Sequence, residues 1–162
     1  MKRITADQPL LPSILDRLID DDPDINSEPP ANRAQRLREL KQSVRRDLEW
    51  LLNTRPRGLP TGGKWPELAR SVLTYGLPDF GGAGPAAQRD RAEFCTSIAQ
   101  LIRQHEPRLM DIAVVELAQP DERQLRFRID ALLRVDPAPE PVVFDTVLES
   151  STGAMVVRGD AA

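Results

Sequence analysis

Few residues in this chain have the type and spacing to do chemistry. Gly58, Leu59, Pro60, Thr61, Gly62, Gly63 and Lys64 reproduce the first seven positions of a phosphate-binding loop, in which backbone amides and a lysine embrace phosphates. The eighth position holds Trp65 where a hydroxyl must reach magnesium, and the loop follows a predicted helix where the motif requires a strand. Nucleotide binding is therefore not expected. The run Gly81-Gly82-Ala83-Gly84-Pro85 could offer amides to an anion, but such runs ordinarily serve as connectors. Cys95 and His105 are the single cysteine and the single histidine. They sit ten residues apart on one predicted helix, about 15 Å along its axis, and cannot act as nucleophile and base. Cys95 reads as a small buried hydrophobe and His105 as a helix-end residue near the negative pole of the dipole. One cysteine and one histidine build neither a disulfide nor a thiolate-imidazole zinc site, so no metal or cofactor is predicted.

Among 25 acidic residues no pair is singled out by spacing, so a solvated surface accounts for them better than a glycosidase dyad does. Charge is nonetheless segregated. From 9 to 32 six acids face Arg17 alone, and from 33 to 57 eight bases face Glu39, Asp47 and Glu49. Adjoining segments of opposite sign point to intramolecular screening or a protein partner rather than to nucleic acid. Glu106-Pro107-Arg108 is the sharpest constellation. A proline between opposite charges at a helix-to-strand junction can aim them at another subunit through charge-assisted pairs, or simply stop a helix with two solvated charges.

The elements that must position these residues divide the chain in two. Leu10, Leu11, Ile14, Leu15, Leu18 and Ile19 have helical spacing after Pro12 and Ser13, which predicts a short amphipathic helix ahead of an acidic, proline-bearing connection over 20–30. Leu37, Leu40, Val44, Leu48 and Leu51 form one stripe of a long helix over 34–54. Trp50 lies nearly opposite that stripe and is expected to join a second packing layer, the alternative being a partner anchor. A further helix begun by Pro66, lined by Leu68, Ala69, Val72 and Leu73 and capped by Gly76, precedes a third long helix from about Ala86, with Phe94, Ile98, Leu101 and Ile102 buried and Pro107 ending it.

Beyond Arg108 the period changes to two. Residues 109–117 read as a mostly buried strand and 119–122 as a polar turn. Leu125, Phe127, Ile129, Ala131, Leu133 and Val135 alternate with a basic outer face. A third strand over 142–149 and a short fourth of Ala154, Met155, Val156, Val157 and Arg158 complete the pattern. The predicted fold is α+β, N-terminal helices packed on a C-terminal antiparallel meander of three to four strands. The predicted division is an N-terminal segment over 1–32 and one domain over 33–162, with no membrane-length apolar run or secretory leader, which predicts a soluble cytoplasmic protein.

Three segments resemble the gp25-like baseplate wedge family, formerly labelled lysozyme-like, in its type VI secretion branch. They are Ser43-Val44-Arg45-Arg46-Asp47-Leu48-Glu49-Trp50-Leu51-Leu52-Asn53-Thr54-Arg55, Ser71-Val72-Leu73-Thr74-Tyr75-Gly76-Leu77-Pro78-Asp79 and Glu106-Pro107-Arg108, and their shared order makes the likeness specific. The resemblance implies a non-enzymatic wedge subunit that joins the TssF and TssG core to the TssB/TssC contractile sheath, in a baseplate docked at the inner membrane. TssK and other baseplate components extend the implied set of neighbours, without nucleic acid or membrane insertion. By position it implies wedge-core contact at Glu106, Pro107 and Arg108. The C-terminal strands resemble the sheath's interlocking strands, and an open edge at Ala154, Met155, Val156, Val157 and Arg158 offers unpaired backbone groups for strand addition. The old label supplies the rival reading, a peptidoglycan glycoside hydrolase.

Overall fold

The computed structural model describes residues 10, 13–19, 32–56, 67–68, 71–78, 88–118, 124–149 and 152–159. The motif over 58–64, the glycine run over 81–85 and the turn over 119–122 lie outside the described residues.

Helix α1, Ile14–Leu18, begins at Ser13, whose hydroxyl accepts from the Asp16 amide while the Asp16 carboxylate accepts from the Ser13 amide. Helix α2, Arg33–Asn53, begins at Asn32, whose side chain accepts from the Gln35 amide. Its predicted stripe turns inward: Val44, Leu48 and Leu51 are buried, with Leu37 and Leu40 packed at the margin, and Leu52, outside that stripe, is buried as well. Helix α3, Gln88–His105, buries Phe94, Cys95, Ile98, Ala99, Leu101 and Ile102 and stops one residue before Glu106. Pro107 accounts for the stop, since the residue preceding a proline is pushed out of the helical region.

The strands β1 (Leu109–Leu117), β2 (Gln124–Leu133), β3 (Glu140–Glu149) and β4 (Met155–Gly159) pair in sequence order as an antiparallel meander. This is the α+β arrangement that the change of period predicts. Alternation decides which face meets the helices. Leu125, Phe127, Ile129, Ala131 and Leu133 of β2, Val142 and Phe144 of β3, and Met155 and Val157 of β4 join one core with α2 and α3. Arg126, Arg128 and Arg134 stay exposed on the opposite face. In the helical layer α2 packs against β4 and α3 against β1.

Two expectations fail for local reasons. β1 is half exposed rather than mostly buried, because its register shifts between Met110 and Ala113 and Asp111 takes a φ of 53°. The bulge brings Leu109 and Ile112, three residues apart, onto the core face and turns Val115 outward. The start of the helix expected from Pro66 lies outside the described residues; among the described residues before Gly76, Val72–Thr74 form a 3-10 turn, capped by the Ser71 hydroxyl on the Leu73 amide. Val72 is 88% exposed and Leu73 is also exposed, so neither lines a core helix.

Gly76 takes positive φ as predicted, at 117°, directly after Tyr75, the C-cap of the 3-10 turn, and is also a crossing point of the chain. Its neighbour Leu77 donates its amide to the Thr54 carbonyl at 2.9 Å, and a Cβ on Gly76 would meet that carbonyl oxygen at 2.4 Å. Gly76→Ala therefore lowers unfolding free energy by about 1–3 kcal/mol, read as a lower urea midpoint at unchanged slope. Gly159→Ala, with its nearest neighbour at 3.6 Å, is the near-neutral control.

Candidate functional site

The bend between α3 and β1 brings Glu106 inside the protein, where it is 5% exposed. A buried carboxylate requires a counter-charge and hydrogen bonds. Arg108 supplies both from two residues away: Nε donates to Glu106 Oε1 at 2.7 Å and Nη2 to Oε2 at 2.5 Å. The same Nη2 donates to Asp47 Oδ2 at 2.5 Å, and Nη1 donates to Ser43 Oγ at 3.0 Å. Burial works against the Arg108 charge, but the Glu106 and Asp47 carboxylates outweigh it and raise its pKa above the usual arginine range. The charges at 106 and 108 thus close on each other and on α2 and do not diverge from the junction.

The network continues to α1. Ser43 Oγ donates to Asp16 Oδ2 at 2.8 Å while accepting from Arg108, and Arg46 Nη2 donates to Asp16 Oδ1 at 2.5 Å. Arg46 Nε lies 3.5 Å from Asp47 Oδ1. Asp16, Ser43, Arg108, Asp47 and Arg46 therefore form a closed ring of polar contacts joining α1, α2 and the start of β1. Burial pushes the Asp16 carboxyl up, yet hydrogen bonds from Ser13, Ser43 and Arg46 prevail and bring it down to about 2.

Above the ring lies a groove of about 410 Å³, lined among others by Leu15, Trp50, Tyr75, His105 and Pro107. Trp50 is 48% exposed, and the Arg46 guanidinium stacks on it with 5.2 Å to the ring centroid. The expected second packing layer is not there, because the Arg46 guanidinium covers one face of the indole and the groove opens beside it. The edge of His105 meets Tyr75, ring centroids 5.3 Å apart. Burial lowers the His105 pKa against a hydrogen bond to the Thr74 backbone. Burial and the charges of Asp47 and Glu106 raise that of Tyr75. Cys95 is buried in the core, where desolvation raises its thiol pKa, as expected of a small hydrophobe.

The second predicted site lies at the sheet margin, far from this groove in sequence; β4 is the terminal strand, and side chains of α2 cover part of its outward edge. Met155 donates its amide to Asn53 Oδ1 at 2.8 Å, and its carbonyl accepts from Asn53 Nδ2 at 2.7 Å. The Val157 carbonyl accepts from Arg45 Nη1 at 3.1 Å. In an antiparallel pair successive residues alternate between facing the partner strand and facing away, so Met155 and Val157 face outward and Val156 and Arg158 face β3. Side chains of α2 thus already occupy outward positions of the predicted addition site.

Sequence reasoning missed Asp16, Ser43, Arg46 and Asp47. The Ser13-to-Asp16 spacing carries a capping-box signal and the Arg46-to-Trp50 spacing an i,i+4 contact. Nothing in the local sequence announces the pairing of Arg108 with Asp47 across 61 residues. Among the described residues no group of His, Cys, Asp or Glu is arranged to hold a metal ion, and no helix is long and apolar enough to cross a membrane.

A family model described as baseplate wedge protein gp25 matches residues 38–138, more than half of the chain, and the chain belongs to that family. The match covers all three segments of the resemblance. No curated protein and no solved structure matches the chain.

Removing the cation from a buried ion pair costs about 3–5 kcal/mol, because it leaves an uncompensated charge. Arg108→Met is accordingly expected to lose about 3 kcal/mol in urea unfolding, and pairing it with Glu106→Gln to recover at least half of that loss. Asp16, with a folded pKa of about 2 against an ordinary 3.8, contributes stability that is complete above 3.8 and lost as pH falls through about 2. A carbon-detected NMR titration is expected to place its midpoint there, and to move it towards 3.8 in the double variant Ser43→Ala/Arg46→Gln.

Proposed function

We propose that the chain is a TssE-type subunit of a type VI secretion baseplate, a non-enzymatic wedge component. It contacts the TssF and TssG core through the face around Glu106, Pro107 and Arg108 and starts the TssB/TssC sheath. The observation that carries this reading is the site itself. A partly buried charge network centred on the buried Glu106 ties the α3–β1 junction to α2, while Trp50 and Pro107 remain exposed around one groove. Half-exposed aromatics beside rigid polar scaffolding serve as interface anchors. Membership of a baseplate wedge family is consistent with that use.

The rival reading as a peptidoglycan hydrolase draws no support from the carboxylates. Glu106 and Asp47 are both committed to one guanidinium nitrogen, and Glu106 is buried, so neither is positioned to protonate a glycosidic oxygen. We assign sheath strand addition to residues 154–158, where an incoming strand exchanges its backbone groups for the side chains of Asn53 and Arg45. The domain over 33–162 carries both contacts, and the baseplate holds the subunit at the inner membrane.

The informative variant is Trp50→Ala, because altering Arg108 disturbs fold and contact together. Truncating an interface anchor costs about 2 kcal/mol or more, roughly thirtyfold in affinity. Trp50→Ala is expected to keep the wild-type urea midpoint and to lose co-purification with TssF and TssG at physiological salt. Retention at wild-type yield would refute the assigned face.

A further inference from the structure

Helix α1 is attached in an unusual way. Its apolar residues do not hold it: Ile14 is 79% and Leu18 is 76% exposed, and Leu15 and Ile19 are exposed as well. Full burial of one such side chain contributes about 1.5–3 kcal/mol, and here most of that is forgone. Asp16 holds α1 instead, through Ser43 at 2.8 Å and Arg46 at 2.5 Å, and ahead of it Leu10 packs against the core with its carbonyl accepting from Arg36.

The place that Asp16 occupies is independent of α1. Ser43 is bonded to Arg108 at 3.0 Å, Arg46 lies against Asp47 at 3.5 Å, and its guanidinium is stacked on Trp50. Taking α1 away leaves these contacts standing and opens one hydroxyl and one guanidinium edge beside the apolar wall of the groove. That is a preorganised carboxylate seat. We infer that α1 is a displaceable strap: in the free protein Asp16 fills a seat that a partner's acidic, apolar-flanked helix start takes over on docking.

The chemistry of the occupant is read from the strap. A carboxylate at the third position of a capped helix meets Ser43 and Arg46, and an apolar neighbour enters the groove as Leu15 does. Residues 20–31, with four aspartates and three prolines, tether the strap to α2. The covalent link makes rebinding of the strap intramolecular, so it competes with weak ligands and yields to a well-matched one. The inference rests on reading this face as a docking face and adds the class of ligand and the gate.

The test uses the full chain in isolation, by amide NMR, and no partner subunit enters it, so its outcome is separate from that of the Trp50→Ala co-purification. In Asp16→Ala the amides of residues 14–19 are expected to move to unstructured shifts and lose exchange protection. Those of α2, α3 and the sheet are expected to stay at wild-type positions. A synthetic peptide of residues 10–19 is then expected to shift the Ser43, Arg46 and Trp50 amides of the Asp16→Ala chain. It should bind at least tenfold more tightly than the same peptide with Asp16→Asn, and at least tenfold more tightly than it binds the wild-type chain. Unmoved α1 amides in Asp16→Ala, collapse of the sheet signals, equal binding of the two peptides, or α1 shifts that depend on protein concentration through exchange between copies would each overturn the inference.

Discussion

A carboxylate at the turn from α3 to β1 can remain inside this protein only if a cation is brought to it, and much of the local architecture follows from that requirement. Pro107 ends the helix and exposes itself, and Arg108 folds back over the turn to neutralise Glu106. A guanidinium carries five donors, and two carboxylate oxygens do not exhaust them. The remainder reach Ser43 and Asp47, which locks the middle of α2 to the first residues of the sheet. The hydrophobic core supplies most of the attraction between helices and sheet, being non-directional and proportional to area. The charge network supplies direction, because its donors fix how the two layers meet at one corner.

This division of labour shapes what the surface can offer. With Glu106 and Arg108 satisfied internally, the junction presents geometry more than charge. Exposed apolar or aromatic side chains line the groove there: Trp50, Pro107 and Leu15. A face of that kind favours partners that match its shape, while the buried ions keep the shape constant. Membership of the gp25 baseplate wedge family accords with a surface built for assembly.

The sequence discloses the layers well and the corner poorly. Alternation in β2 foretells each of its buried residues, since a strand with one face on a core has little freedom in which side chains it hides. The stripes of α2 and α3 are legible for the same reason. The bulge in β1 is not, because it depends on Asp111 accepting positive φ, which an aspartate tolerates without advertising. Trp50 is misjudged because size alone says core, whereas its environment is decided by Arg46 one turn away. Glu106, Pro107 and Arg108 are recognisable as a constellation, but which way the charges face depends on Asp47 and Ser43, more than 60 residues earlier. The partial cover over the edge of β4 is illegible for a similar reason, since it comes from Asn53 and Arg45 on a helix about 100 residues away.

That coverage bears on how the molecule behaves before it meets anything. A bare strand margin invites indiscriminate pairing and is a familiar route to clumping in crowded solution. The carboxamide of Asn53 carries two donors and an acceptor; Nδ2 donates to the Glu49 carbonyl of its own helix and to the Met155 carbonyl, and Oδ1 accepts from the Met155 amide. A single side chain thereby impersonates one residue of a missing strand. At that position the helix's own side chain covers the margin, anchored to α2 through the Glu49 carbonyl.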